Sequence, residues 1–324
     1  MIRLDAINKT FRVSKRERGF SQAVKALFFR HTETVHALCD VSFAIGDGEM
    51  VGYIGPNGAG KSTTIKIMCG ILTPDSGECV VNGRTPWKER KTHVRDIGVV
   101  FGQRSQLWWD VPVIDSFELI KDIYRVDAND YQKTLDELVG LLDLGEIIKT
   151  PTRSLSLGQR MRCEIAASLL HGPKILFLDE PTIGLDAISK IAVRQFIKKL
   201  NMEKRTTVIL TTHDMQDIEA LTDRIILIGK GRILLDSNLQ ELRSRISSQK
   251  TLTVDFDGDA PPLMPDWTVI DMREGRLSFR FDSADYSASD VIAHISRDAA
   301  IRDVSVSGIT AEEMVAGLYT EYEI

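Results

Sequence analysis

Gly55-Pro56-Asn57-Gly58-Ala59-Gly60-Lys61-Ser62-Thr63 is the stretch that decides how the rest of this chain is read. It follows the apolar run Met50-Val51-Gly52-Tyr53-Ile54 and leads into Ile65, Met68, Cys69 and Leu72, which share one helical face. Strand, glycine loop, helix is the context in which a G-x-x-x-x-G-K-S stretch reads as a phosphate cradle. The glycines let backbone amides turn toward phosphate oxygens, and the helix start adds the positive end of its dipole. Lys61 supplies a cation for the outer phosphates, and Ser62 is left to hold magnesium. A plain turn would need neither the lysine nor the hydroxyl beside it.

Working outward, Ile2-Arg3-Leu4-Asp5-Ala6-Ile7 alternates apolar and polar and predicts a half-buried strand ending near Phe11. A basic segment follows over residues 12–30, with Lys15, Arg16, Arg18 and Lys25 beside the apolar cluster Ala26-Leu27-Phe28-Phe29. It suits either a solvated loop with a short helix or a surface that touches lipid headgroups. Strands are expected over 36–54, 78–82 and 94–100, the last leading to Gln103. Helical spacing over 115–125 and 130–144, with Leu135, Leu138, Val139 and Leu142 in one stripe, predicts a helical insertion on the sheet domain.

Beyond Pro151, Ser156-Leu157-Gly158-Gln159 opens a helix that buries Ile165, Ala166 and Leu169 and stops at Gly172-Pro173. Two continuous apolar runs follow, Ile175-Leu176-Phe177-Leu178 and Thr207-Val208-Ile209-Leu210, of the kind buried on both faces of a parallel sheet. The first ends in Asp179-Glu180 and the second in Thr211-Thr212-His213. Acid and imidazole are thus delivered at carboxyl strand ends, the edge where open α/β sheets bind ligands.

With 324 residues the chain is expected to hold one large domain and a smaller one. A net charge of −5 gives no reason to expect nucleic acid as the main partner, and four scattered cysteines suit a reducing compartment without a metal cluster. No apolar run approaches the roughly 18 residues that span a bilayer, so membrane attachment is expected to come from other subunits. From about Leu239 the pattern shifts to alternating strands at 251–256, 276–281 and 303–306. Helix starts capped by Ser287 with Asp290 and by Thr310 with Glu313 interleave with them.

Taken in order, residues 55–63, Gln103, 156–159, 175–180, Gly184-Leu185-Asp186 and His213 have the approximate spacing of the ATP-binding cassette family. Over most of residues 1–240 the chain closely resembles the ATP-binding subunit of an ABC transporter. The resemblance implies an α/β P-loop NTPase cassette, a mixed sheet core plus a helical subdomain over about 105–172, with a small α+β C-terminal domain. The expected boundaries are 1–246 and 247–324. It also implies ATP and Mg2+ as cofactors, with all nine residues 55–63 on the nucleotide and Phe11 stacked on adenine, although a core phenylalanine would fit that position too. Asp179, Ser62 and Gln103 resemble the metal-holding residues, Glu180 the general base, and His213 the histidine that contacts the γ-phosphate.

Ser156, Leu157, Gly158 and Gln159, with Asp186, resemble elements that complete the site of a partner chain. One cassette per chain then implies a second ATP-binding subunit, a second copy in a homodimer or else a homologous chain, and integral-membrane permease subunits that hold the chain on the cytoplasmic side of the membrane. An added C-terminal domain of this kind points to an exporter. The alternative is a soluble cassette ATPase acting on DNA or ribosomes, though no coiled coil, zinc module or second cassette is visible. Leu157 stands where the family usually has glycine, and a branched side chain at that seam is expected to slow closure.

Overall fold

The computed structural model describes residues 1–14, 32–102, 104–212, 214–246, 249–297, 299–308 and 311–322. The chain separates into two compact units, Met1–Asp236 and Ser237–Ile324, so the break falls ahead of the boundary expected at 246.

The first unit is built on a six-stranded sheet in the order β5-β6-β7-β3-β8-β9. Its strands are β3 (Met50–Ile54), β5 (Ile97–Phe101), β6 (Ile175–Asp179), β7 (Thr207–Thr211), β8 (Arg224–Gly229) and β9 (Arg232–Asn238). Strands β5, β6, β7, β3 and β8 run parallel. Their apolar runs are buried on both faces, as helices cover the two sides of such sheets. β9 returns beside β8 through Lys230 and Gly231, both at positive φ, the two-residue turn that closes hairpins.

A second, antiparallel sheet orders β2 (Thr32–Ile45), β1 (Ile2–Ser14) and β4 (Ser76–Val81). Ile2, Leu4, Ile7, Leu38, Val41 and Ile45 turn one face of it into the core shared with Tyr53, Ile65 and Phe177. β1 continues past Phe11 to Ser14 because β2 pairs with it to the end, Ser14 facing Thr32. The first three residues of the basic segment, 12–14, end β1, and the rest of it with its apolar cluster lies outside the described residues.

Helices of the first unit are α1 (Lys61–Met68), α2 (Arg90–Asp96), α3 (Val113–Tyr124), α4 (Ala128–Leu141), α5 (Leu157–Leu169), α6 (Ala187–Lys204) and α7 (Met215–Leu221). The strand expected from Val94 starts only at Ile97, because α2 runs to Asp96 with His93 turned inward, 2.9 Å from the Met68 carbonyl. The helical insertion is present as α3, α4 and α5, carrying buried Phe117, Leu135 and Leu138.

In the second unit α8 (Leu239–Ile246) precedes a four-stranded antiparallel sheet ordered β11-β12-β10-β13. These strands are β10 (Gln249–Asp257), β11 (Thr268–Arg273), β12 (Arg276–Asp282) and β13 (Ala300–Gly308). Leu252, Val254 and Phe256 alternate inward opposite Leu277, Phe279 and Phe281, as a period of two requires. α9 (Ala288–Ile295) adds Val291 and Ile295 to that core, its start capped by Ser287 as expected. α10 (Ala311–Glu321) ends the chain, and Thr310 lies outside the described residues.

Candidate functional site

Strand register assembles the site before any side chain is considered. Asp179 pairs with Thr211 on one side and Phe101 on the other, while Gly52 pairs with Leu210. The residues that follow each strand therefore emerge together at the carboxyl edge. Two backbone bonds tie the edge, Gly102 N–H to the Asp179 carbonyl at 2.8 Å and Glu180 N–H to the Thr211 carbonyl at 2.9 Å. Gln103 and His213 fall just beyond Gly102 and Thr212 in the chain but lie outside the described residues.

The glycine loop leaves β3 and enters α1 at Gly60, whose φ of 113° is closed to other L residues. A Cβ there would also sit 2.7 Å from the Ala37 carbonyl. Lys61, only 7% exposed, folds its ammonium back over the loop, 2.6 Å from the Gly55 carbonyl and 3.1 Å from that of Pro56. Burial lowers its pKa, and the nearby carboxylates of Glu180 and Asp179 oppose that shift. No side chain caps the start of α1 and no acid stands in its first turn. The leading amides of a helix have no partner inside it, so this end suits an anion.

Ser62 Oγ lies 3.4 Å from Asp179 Oδ1. The Thr211 hydroxyl donates to the same carboxylate oxygen. A hydroxyl and a carboxylate converging beside the anion-binding end are the hard oxygen donors that Mg2+ takes with phosphates, so the residues fit that ion. Glu180 sits next to them in the left-handed region, φ 55°, which for a non-glycine residue costs about 1–3 kcal/mol and persists only where neighbours over-determine it. Thr211 does so twice, accepting the Glu180 N–H on its carbonyl and, at 3.2 Å, on its hydroxyl.

Behind this edge lies a charged cluster that motif spacing does not reveal. Asp217 on α7 is fully buried and is held by the Arg194 guanidinium of α6 at 2.5 Å. It also accepts from the Thr182 hydroxyl and, at 3.1 Å, from the Thr212 hydroxyl. Asp214 caps α7, and Lys190 lies 2.5 Å from it. Its carboxyl is pushed up by burial, but hydrogen bonding to Lys190 and Gln216 and the nearby cations more than compensate, leaving its pKa below the ordinary value. Thr182 follows Glu180 by two positions and Thr212 precedes His213, so one buried carboxylate anchors both loops that carry the expected chemistry. The sequence signal available was Asp217 on the inner face of a short helix, which pattern alone does not tell from a surface acid.

The second group of expected residues is packed differently. Ser156 and Gln159 form a capping box at the start of α5. Ser156 Oγ accepts the Gln159 N–H at 3.2 Å, and Gln159 Oε1 accepts the Ser156 N–H at 2.9 Å. Asp186 caps α6 by accepting from Ser189 N–H at 2.9 Å and Ser189 Oγ at 2.8 Å, and these bonds lower its carboxyl pKa. The two starts interlock. A Cβ on Gly158 would meet Ser189 Oγ at 2.4 Å, and one on Gly184 would meet the Leu157 side chain at 2.7 Å. Ser156 and Asp186 are exposed, so this block presents its polar edge to solvent.

Phe11 is half-buried on β1 opposite Val35, with the Lys9 ammonium 5.7 Å from its ring centroid. Trp108 and Trp109, which follow Gln103 by a few positions, are 59% and 52% exposed.

The ABC transporter family profile matches residues 38–183. The chain is 34% identical over 202 residues to the uncharacterized ABC transporter ATP-binding protein YhcH of Bacillus subtilis, a match covering 62% of this chain and 65% of that one. It is 33% identical over 218 residues to the linearmycin resistance ATP-binding protein LnrL of the same organism, covering 67% of this chain and 70% of the relative. Some relatives are much longer, and the chain spans only 25% of an ABC transporter A family member of Dictyostelium discoideum. Among solved structures, an ATP-binding cassette captured as a dimer in its post-hydrolysis state with ADP and Pi is 28% identical. It superposes with a TM-score of 0.62 and covers 74% of this chain and 99% of its own. With its phosphate cradle, acidic strand end and capped serine helix in the family's order, this chain belongs to the ABC transporter ATP-binding cassette family.

Proposed function

We propose that the chain is an ATP-hydrolysing subunit that works as a homodimer and powers transport through separate membrane permeases. The observation that carries this reading is the convergence of Lys61, Ser62, Asp179 and Glu180 at one sheet edge beside the uncapped start of α1. Lys61 then exchanges the Gly55 and Pro56 carbonyls for phosphate oxygens. Ser62 and Asp179 would hold Mg2+, which supplies charge compensation for the phosphates. Glu180 accepts the proton of the attacking water, with its backbone fixed by Thr211. Gln103 and His213 are assigned to metal and γ-phosphate on the family resemblance, and Phe11 offers adenine the ring face away from Lys9.

One chain carries one cradle, and its Ser156 to Gln159 segment faces solvent. The Ser156 hydroxyl spends an acceptor site on Gln159 and keeps its proton free for a phosphate oxygen of another molecule. The dimeric state of the similar cassette supports pairing of two copies head to tail, each α5 start completing the other's site.

Transport is assigned to other subunits because, among the described residues, no helix is long and apolar enough to cross a membrane. Exposed Trp108 and Trp109 suit a permease contact on the helical insertion, since aromatics anchor partner surfaces. That contact would hold the chain at the cytoplasmic membrane face. The similarity to a resistance protein supports export as the direction.

Glu180→Gln tests the reading. It should bind ATP, hydrolyse it very slowly and accumulate as an ATP-dependent dimer, seen by size-exclusion chromatography with Mg-ATP. A permease should co-purify with the wild-type chain; ribosomes or DNA in its place would favour the soluble-ATPase alternative.

A further inference from the structure

One buried acid lies outside the machinery described so far. Glu164 sits on α5, two turns beyond the Ser156 start, and is 4% exposed. Among the described residues, no ion pair reaches its carboxylate. It is occupied by the chain that follows Gln103. The Ser105 hydroxyl donates to Oε1 and the Gln106 N–H donates to Oε2 at 3.1 Å, while the Leu107 N–H donates to the Ser105 hydroxyl oxygen at 3.1 Å and holds it in place. Gln106 returns the grip, its side-chain amide donating to the Glu164 carbonyl at 3.1 Å and to Val99 O at 3.4 Å. Burial raises the carboxyl pKa, and the donors from 105–107 with Arg160 oppose the shift.

The two ends of this grip lead to different sites. Going back along the chain, residues 104–107 lead to Gly102, whose N–H is bonded to the Asp179 carbonyl at the cradle's own edge. Going back along α5, about 12 Å of helix lead to Ser156, the residue assigned to a partner's nucleotide. Burying a carboxylate is costly unless donors replace its water, and two donors from one short segment do so here. An apolar residue at 164 would pack α5 without binding that segment at all.

We propose that Glu164 is a positioning residue for hydrolysis. It clamps residues 104–107 to α5, so that the segment leaving the magnesium edge moves as one body with the helix that completes the partner's site. This rests on the composite-site reading above.

The test uses the full chain with Glu164→Ala, Glu164→Gln and Ser105→Ala, measuring ATP affinity by equilibrium binding and kcat by steady-state hydrolysis. The alanine variant should lose about tenfold or more in kcat with ATP affinity within about twofold of wild type, a split that a general loss of fold does not give. Glu164→Gln should recover to within about threefold, because its oxygen still accepts from Gln106 N–H while Ser105 turns its proton to the Leu107 carbonyl, 3.2 Å away. Ser105→Ala should fall between them. In the Glu180→Gln background, Glu164→Ala should reduce the ATP-dependent dimer.

Unchanged kcat in Glu164→Ala overturns the proposal, as does an equal loss of kcat and ATP affinity in the alanine and glutamine variants. If Glu164→Ala does not fold, Ser105→Ala decides: lower kcat at unchanged affinity supports the clamp, and wild-type kcat overturns it. Should Glu180→Gln alone form no dimer, the composite-site reading fails, and the kcat split with glutamine rescue still judges the clamp within one chain.

Discussion

The starts of α1 and α5 make opposite use of the same physics. At α1 the leading amides follow a left-handed glycine with no side-chain cap, and the nearest cation is folded onto loop carbonyls. At α5 a serine and a glutamine satisfy each other's backbone, and Asp186 does likewise at α6. The first end has its capping capacity reserved for an anion; the second is complete without one. A half-site that must capture nucleotide leaves its donors uncommitted, whereas a half-site that only closes over it is better preformed, because ordering it at closure would cost about 1–2 kcal/mol per residue. That difference is what the proposed split site would require.

The comparison breaks most readily at the acid. Glu180→Gln keeps the α1 end intact and removes the proposed base, so hydrolysis should drop by about 10²–10⁴-fold while nucleotide binding persists. Hydrolysis within a few fold of wild type would take Glu180 out of its role. A mixing experiment sharpens the contrast next. Lys61→Ala disables the capturing half. Gly158→Asp disables the closing half by displacing Ser189 and placing a carboxylate at the α5 start. Each variant alone should be inactive. An equal mixture should recover roughly one site in four, since only mixed dimers pair an intact cradle with an intact α5. No recovery in a mixture that still exchanges subunits would place both halves on one chain.

A third prediction concerns stability rather than turnover. Arg194→Ala leaves Asp217 buried without its cation, and breaking such a pair costs about 3–5 kcal/mol. Thermal unfolding should shift down accordingly, with lost activity because the loops after Glu180 and before His213 lose their common anchor. Arg194→Met combined with Asp217→Leu should recover much of the stability but not the activity. The cluster also sets an acid limit. Asp214 has its pKa lowered in the fold, so its contribution is full above the unfolded value of 3.8 and disappears as pH falls through the folded one. Lys190→Ala should flatten that acid limb.

The placement of residues 55–63, Asp179 and Glu180 at one sheet edge, and of 156–159 at a helix start, was legible in the sequence because each group is contiguous and flanked by clear apolar runs. The strands ending in Asp179 and Thr211 were legible too, as apolar runs too short for helices. Arg194, Asp217, Thr182 and Thr212 were not, because their meaning comes from packing between α6, α7 and two loops distant in sequence. Glu164 carries no motif of its own, and only the fold brings Ser105 and Gln106 to it. β11 was missed because Val269, Ile270 and Met272 are all substantially exposed, which erases the alternation that marks a strand.

Leu157 gives the smallest and most discriminating effect. At the seam, a leucine in place of the family's glycine was expected to slow closure by its bulk. In the structure its tip lies on Gly184 of the same chain, at φ 69°, where a Cβ would be 2.7 Å away, although the residue as a whole is exposed, at 36%. The leucine thus ties the α5 start to the segment that leads into Asp186, which on the proposed reading adds rigidity to a half-site that works by being preformed. Leu157→Gly trades that contact for a residue that is also costly in a helix, so the chain should lose about 1–2 kcal/mol. If the leucine acts inward, ATP-dependent dimerisation of the Glu180→Gln background should become slower in this variant. Faster dimerisation at the same ATP affinity would show that the leucine obstructs the partner, and the α5 end would then be held back from closure rather than prepared for it.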